Sequence, residues 1–248
     1  MSSYSPLNLL VRKLNNHVAL DDEDKAALIA LPHVVRELSP ASYIVREGET
    51  PSGCAVLLDG FAFRQKLAAD GGRQILSVQI PGDALDMEHL FLDCADHNVQ
   101  ALTRVRIAVI PRAALRTIAM ERPTIAHAFA VNNQVEAAIT REWLLNVGRR
   151  DARTRLAHLL CEVATRLQGQ DLVDDYGYEL PMTQEQLADA TALTNVHVNR
   201  TLKSLEDDGL IKRDRRAIRF PNWQALKAAA GFDPLYLHIG QQSAAGLG

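Results

Sequence analysis

Several things are missing from this 248-residue chain, and each absence narrows what it does. No apolar run approaches the ~20 residues that a membrane-spanning helix needs. The opening stretch, MSSYSPLNLLVRKLNN, lacks the layout of a secretory signal, because Arg12 and Lys13 interrupt its apolar positions. A cytoplasmic location without membrane contact is the expectation. Cysteine is scarce. Cys54, Cys94 and Cys161 are odd in number and far apart, which gives neither a disulfide framework nor a paired metal motif. No nucleophile motif, phosphate loop or HExxH pair is present, so an enzyme is not expected. A surplus of positive charge is missing too: Lys and Arg total 27 against 30 Asp and Glu, a net −3.

The cations that exist are unevenly placed. From Asn195 to Lys227 they are Arg200, Lys203, Lys212, Arg213, Arg215, Arg216, Arg219 and Lys227, against Glu206, Asp207, Asp208 and Asp214. Eight against four leaves a local surplus of four on an acidic chain. A basic face on an acidic body favours an oriented approach to phosphate.

The same region carries the most informative stretch, PMTQEQLADATALTNVHVNRTLKSLEDDGLI, from Pro181 to Ile211. Thr183 followed by Gln186 forms a capping box that starts one helix. Leu187 and Ala190 give it an apolar face, and Ala192-Leu193 makes a turn. Thr194 N-caps a second helix with Val198, Thr201, Leu202 and Leu205 inward. Asn195, His197, Asn199, Arg200 and Lys203 point outward. A short helix with donors on its free face suits the major groove. An ordinary helical hairpin is the plainer reading. Beyond it, Leu210-Ile211 and Ile218-Arg219-Phe220 flank the charged turn KRDRRA, which reads as a two-stranded wing. Arg213, Arg215 and Arg216 suit backbone contacts there, unless the turn is merely solvated.

Upstream, Leu7, Leu10, Val11 and Leu14 have helical spacing, and Asp21 and Asp24 open a second short helix ending near Leu31-Pro32. From His33 to Ile110 the pattern changes to short strands, among them Ser42–Arg46, Cys54–Leu58, Phe61–Leu67, Gln74–Ile80 and Val99–Ile110. Turn signals such as Asp59-Gly60, Asp70-Gly71-Gly72 and Pro81-Gly82-Asp83 separate them. This predicts a β-barrel or sandwich of hairpins. Ala113 to Met120 is a short helix. Pro123 then opens a long helix running to about Gly148. It carries two apolar stripes. Ile125, Ala128, Asn132, Val135 and Ile139 form one, and Phe129, Ala137, Thr140, Leu144 and Val147 the other. Two stripes call for two partners. The first is read as a parallel two-stranded contact between protomers, with Asn132 setting register. A helix sandwiched within its own chain is the other reading. Asp151 begins a further helix that Gly169 stops. Past Phe232, Pro234, Leu235, Tyr236 and Leu237 pack back, and GQQSAAGLG is expected to be disordered.

The order β-rich domain, long helix, winged helix-turn-helix resembles the cyclic-AMP receptor / fumarate-nitrate-reduction regulator (Crp/Fnr) family over almost the whole chain. VREGET-PSGCAVLLDGFAFRQ…DGGRQILSVQIPGDALDME is similar to the family's cyclic-nucleotide-binding β-roll. Asp151-Ala-Arg-Thr-Arg-Leu-Ala is similar to the hinge after the dimer helix. LTNVHVNRTLKSLEDDGLI is similar to the recognition helix and wing start. The resemblance implies an α+β fold with a β-roll sensor over 1–120, a dimerisation helix over 121–150 and a winged helix-turn-helix over 151–248. It implies a homodimeric transcription regulator that binds a pseudo-palindromic duplex and meets RNA polymerase. By correspondence, Asn195, Val196 and Arg200 take the base-reading positions. His197, Lys203 and the wing arginines attend to base or backbone, and Thr183 and Thr194 to phosphate at helix starts.

The departures bear on control. Asp86-Met87 stands where nucleotide-binding members carry Gly-Glu, and Ala95-Asp96-His97-Asn98 lies where they carry Arg-Ser. An effector pocket would then be lined by Asp86, Met87, Glu88, His97 and Asn98. Its acids oppose a phosphate, so no cyclic nucleotide is expected. No cysteine precedes Cys54, so no iron–sulfur cluster is expected either. Haem, for which His89, His97 or His127 would have to serve, is not expected. Glu88, His89, Cys94, Asp96 and His97 mix metal-ligand types within ten residues, although an exposed acidic loop is the plainer account. A sensor of ligand, metal or thiol redox state acting through protein contacts is the competing function. Family members commonly have Gly where Ala192 stands, and a left-handed Ala costs roughly 1 kcal/mol.

Overall fold

The computed structural model describes residues 5–173 and 177–240. The expected disorder of the end after Gly240 lies outside them. Helices α1 (Asn8–Asn15) and α2 (Asp22–Ile29) open the chain. Strands β1 (Val34–Leu38), β2 (Tyr43–Val45), β3 (Gly53–Asp59), β4 (Ala62–Leu67), β5 (Arg73–Gln79), β6 (Asn98–Ala101) and β7 (Val105–Pro111) follow. Then come α3 (Arg112–Glu121), α4 (Pro123–Arg149) and α5 (Ala152–Gly169). Strand β8 (Tyr178–Glu179), helices α6 (Gln184–Thr191) and α7 (Asn195–Asp207), strands β9 (Lys212–Asp214) and β10 (Ala217–Arg219), and α8 (Trp223–Ala230) complete it.

Two compact units emerge. One comprises 1–64, 79–137 and 238–248; the other 65–78 and 138–237. This division runs differently from the expected 1–120, 121–150 and 151–248. The first half of α4 is core of the first unit, and the β4–β5 hairpin packs with the second.

In the first unit, β7 lies between β1 and β3, antiparallel to both. A second sheet has the order β2-β6-β4-β5. The expected strand Val99–Ile110 is therefore two strands in different sheets, broken at 102–104. β1 was not among the expected strands, because its five residues are largely exposed and VVREL has no clean alternation. Both faces of β7 are covered. Val105 and Ile107 join Val45, Leu57, Ala62, Leu85 and Val99 between the sheets. Ala108 and Ile110 join Leu7, Leu10, Leu14, Leu115, Ile125, Ala128 and Phe129 under the helices. Removing apolar area from water at about 25 cal/mol per Å² makes these two cores the main stabilising term. Gly60, at φ +81°, turns β3 into β4; a Cβ there would lie 2.2 Å from the Arg104 carbonyl oxygen, so only glycine fits.

Asp21 accepts the Asp24 N–H at 2.7 Å and starts α2. Asp151 accepts the Thr154 N–H at 2.9 Å and starts α5.

The second unit is built on α5, against which α6, α7 and α8 pack. Helix α8 escaped the sequence reading, although Asn222 N-caps it and Gly231 closes it in the left-handed conformation. Tyr236 of the following turn donates its hydroxyl to the fully buried Glu162 at 2.7 Å, as does the Trp143 indole N–H at 3.0 Å. The returning segment thus packs back as expected, except that Leu235 is exposed. Arg73 of the β4–β5 hairpin pairs with Asp189 of α6 at 2.6 Å, and Arg166 of α5 donates to the Val78 carbonyl at 2.7 Å.

The long helix corrects the expected dimer stripe. Ile125, Ala128, Asn132, Val135 and Ile139 are each at most 4% exposed within the single chain. They face its interior and are not available to a second copy. A different row is left open: Ala130, Gln134, Arg141, Leu144 and Gly148 are exposed, with His127 and Ala137 half-buried. Their spacing alternates three and four. Leu144, at 70% exposure, is the most open large apolar side chain on α4 among the described residues.

Candidate nucleic-acid interface

Local chemistry fixes the helix pair. The Thr183 hydroxyl accepts the Gln186 N–H at 3.2 Å while the Gln186 side-chain carbonyl accepts the Thr183 N–H at 2.8 Å. This is the expected capping box, and it satisfies two donors a helix start would otherwise leave open. Thr194 accepts the His197 N–H at 3.3 Å and starts α7. Between the helices Ala192 sits at φ 52°, ψ 45°, so the turn needs the left-handed conformation. Val198, Thr201, Leu202 and Leu205 are buried, as their spacing predicts.

The opposite face of α7 is open. Asn195, Val196, Asn199, Arg200 and Lys203 are exposed, and His197 is half-buried. Val196 is 77% exposed, an apolar contact surface that no described residue covers. The side chains of Arg200, Lys203, Arg215 and Arg216 make no hydrogen bond or ion pair with any described residue. The wing has three strands, not two, in the order β8-β10-β9. Arg215, at φ 54°, turns β9 into β10.

Arg213 departs from expectation. Its guanidinium donates to the Glu206 carboxylate of α7 at 2.8 Å, and its N–H to the same group at 3.1 Å. Glu206 is held below the usual carboxylate range by these bonds. Arg213 therefore ties the wing to α7 and is not a free cation. A cavity of about 220 Å³ lies between Thr183, Gln184, Leu202, Arg213, Arg215 and Arg216.

Two residues that position this surface were quoted only as part of the hinge. Arg155 donates to the Thr191 carbonyl at 2.8 Å, covering the C-terminal end of α6. Arg153 pairs with Asp208 at 2.6 Å and donates to the Ser204 hydroxyl at 2.8 Å, holding α7. A signal existed: cations in a helix's first turn oppose its dipole and call for partners elsewhere.

The stretch expected to line an effector pocket has different chemistry. Asp86 is buried and accepts the Ala55 N–H at 2.8 Å. Burial raises its pKa to about 7, and it lies beside the buried Cys54, whose thiol burial also pushes up. A cavity of about 260 Å³ is lined in part by Tyr43, Val45, Glu49, Asp86 and Ile107. Met87 and Asn98 are buried; Asn98 accepts the Glu47 N–H at 3.1 Å.

Glu88, His89, Cys94, Asp96 and His97 do not assemble into a ligand set. His97 meets Asp96 at 2.7 Å and Glu88 at 3.4 Å, and its ring stacks 6.4 Å from that of the buried His89. Cys94 is exposed. No group of three or more His, Cys, Asp and Glu among the described residues is placed to hold a metal ion; Glu88 meets His97 and Arg64. Arg64, on β4, was not foreseen here. It is half-buried, and donates to the Leu85 carbonyl at 3.0 Å and the Glu136 carboxylate at 2.8 Å.

Two family models match the chain. Residues 154–229 match the Crp-like helix-turn-helix domain, and residues 35–122 the cyclic nucleotide-binding domain. The chain is 25% identical to the transcriptional activator protein FnrL of Cereibacter sphaeroides over 217 residues, 86% of either chain. It is 29% identical to the nitrogen fixation regulation protein FixK of Azorhizobium caulinodans over 187 residues, 72% of this chain and 75% of that one. The structure of FixK2 from Bradyrhizobium japonicum superposes with a TM-score of 0.75 at 24% identity, over 82% of this chain and all of that one. A CRP-family transcriptional regulator from Thermus thermophilus gives 0.63 at 23% identity, over 79% of this chain and 97% of that one.

Two outcomes follow from the geometry. Replacing the left-handed Ala192 by Gly should stabilise the protein by about 0.5–1 kcal/mol. A lower melting temperature for Ala192→Gly would contradict the turn. For Asp86, the folded pKa of about 7 lies above the unfolded value near 4. Its contribution to stability is therefore complete below about pH 4 and is lost as pH rises through about 7. Asp86→Asn keeps an acceptor for Ala55, so its melting temperature should gain on the wild type from pH 4 to 8. A pH-independent difference would refute the raised pKa.

Proposed function

The chain belongs to the Crp/Fnr family of transcription regulators, and on that premise we propose that it reads a pseudo-palindromic DNA site as a homodimer in the cytoplasm. One observation carries this reading: the exposed face of α7, where Arg200 and Lys203 have no partner among the described residues. Exposed cations on the free face of a helix are donors waiting for an acceptor. Arg200 has the fork that matches guanine O6 and N7 in the major groove. Asn195 suits adenine or phosphate, and Val196 suits a thymine methyl. His197 and Lys203 flank them. Arg215 and Arg216 suit phosphate contacts that position without specifying sequence. Thr183 and Thr194 bring helix starts toward the backbone. A sensor that had lost DNA binding would have no use for an unpaired Arg200.

The open row of α4, from His127 through Ala130, Gln134, Ala137, Arg141 and Leu144 to Gly148, is the seam for a second copy. Its alternation of three and four is that of a two-stranded coiled coil, and Gln134 now has the register-setting place first given to Asn132. Two protomers joined there would set their recognition helices about 34 Å apart, one duplex turn. RNA polymerase is the proposed further partner. Neither cyclic nucleotide, iron–sulfur cluster nor haem is proposed to control the protein. An incoming phosphate would face Asp86 and Glu88, with Arg64 already paired to Glu136.

Arg200→Ala should weaken binding to the specific site by about 1–3 kcal/mol and relax preference at one base pair per half-site. Equal losses on specific and random duplexes would contradict base reading. Light scattering should give a dimer, and Leu144→Glu should shift it to monomer. A monomeric wild type at micromolar concentration would refute the seam.

A further inference from the structure

Glu136 lies on α4 one turn beyond Asn132 and is buried to within 9%. One carboxylate oxygen accepts from the Lys13 ammonium of α1 at 3.0 Å, and the other from the Arg64 guanidinium of β4 at 2.8 Å. Lys13 is buried and Arg64 largely so, their side chains 8% and 12% exposed. Lys13 also meets Asp83 at 2.5 Å, which accepts the Ile80 N–H at 2.9 Å. Arg64 also reaches the Leu85 carbonyl and, at 3.8 Å, Glu88, which is 3.4 Å from His97. The charges form one row of alternating sign through a single unit, Asp83, Lys13, Glu136, Arg64 and Glu88, with the His97 ring beside its last member.

A buried charge is tolerated only when paired and hydrogen-bonded. Lys13 and Arg64 therefore need an anion at their midpoint, and a diffusible one would have to be captured from solution. Here the long helix supplies it. A tethered carboxylate has a high effective concentration and does not dissociate. It also fixes α4 against α1 and β4.

We propose that Glu136 is a built-in effector: by bridging Lys13 and Arg64 it holds α4 in the position that serves DNA reading, with no bound small molecule. This rests on the DNA-reading function proposed above. Asn132, whose buried amide finds no hydrogen-bond partner, is not part of the row.

The test uses the full-length protein, extensively dialysed, on a selected specific duplex and a random one. The wild type should bind the specific duplex without additive and be unchanged by cyclic AMP. Glu136→Gln should lose about 5–150-fold of specific affinity, the usual range of a conformational coupling, while random-duplex affinity and helical content stay. Glu136→Ala should recover specific binding in sodium formate but not in sodium chloride of equal ionic strength. A folded Glu136→Gln protein within twofold of wild type would overturn the proposal, and so would equal behaviour of Glu136→Ala in both salts. If Glu136→Gln does not fold, the formate comparison alone decides. A wild type that binds specifically only after cyclic AMP is added overturns the built-in effector and leaves DNA reading intact. A wild type without any specific binding defeats the DNA-reading proposal instead.

Discussion

Helix α4 has two faces, and the chain buries only one of them. The buried face runs from Ile125 through Ala128 and Phe129 to Val135, Glu136, Ile139 and Trp143. Its apolar members complete the first unit's core under β3 and β7, and Trp143 is bonded to Glu162 in the second. The other face keeps Ala130, Gln134, Arg141 and Leu144 in water. This open row is mixed in character, and Leu144 is its one large apolar member, 70% exposed. The pairing of two such rows, proposed above, would cover it.

The reading surface depends on short-range restraints more than on a large core. Two threonine caps start α6 and α7, Arg155 covers the end of α6, and Arg153 and Arg213 fasten α7 at two places. With these in place, Asn195, Val196 and Arg200 are presented without internal partners that would have to be broken on binding. Preorganisation of this kind reduces the ordering cost of association. The positive charge that matters is local, so the net −3 of the whole chain does not oppose it.

Where a function is written in neighbouring residues, the sequence showed it. The capping box, the inward set of α7 and the helix start at Asp151 are short-range patterns, and all stand in the structure; the left-handed conformation at Ala192 was raised only by the family resemblance. Periodicity gave α4 two stripes, but the second mixed the buried Phe129 with the exposed Leu144. Spacing could not say which apolar residues the chain itself covers, because that is decided by distant elements, α1, β3 and β7 among them. Asn132 looked like a register residue for the same reason. Long-range pairs were invisible: Arg64 and Glu136 are 72 residues apart, and Lys13 and Asp83 are 70 apart. Arg213 read as an exposed wing cation because Glu206 lies on another element.

The sensor half then differs from the reader half in what its charges are for. On the outward face of α7 Arg200 and Lys203 have no partner among the described residues, whereas Arg64 and Lys13 are answered from within. That contrast makes the central claim a statement about symmetry and DNA. The most direct measurement is selection of binding sequences by the full-length protein from a random duplex library. The account predicts an inverted repeat whose half-site centres lie about 10 bp apart. No enriched sequence, or a single half-site with no inverted partner, would contradict it.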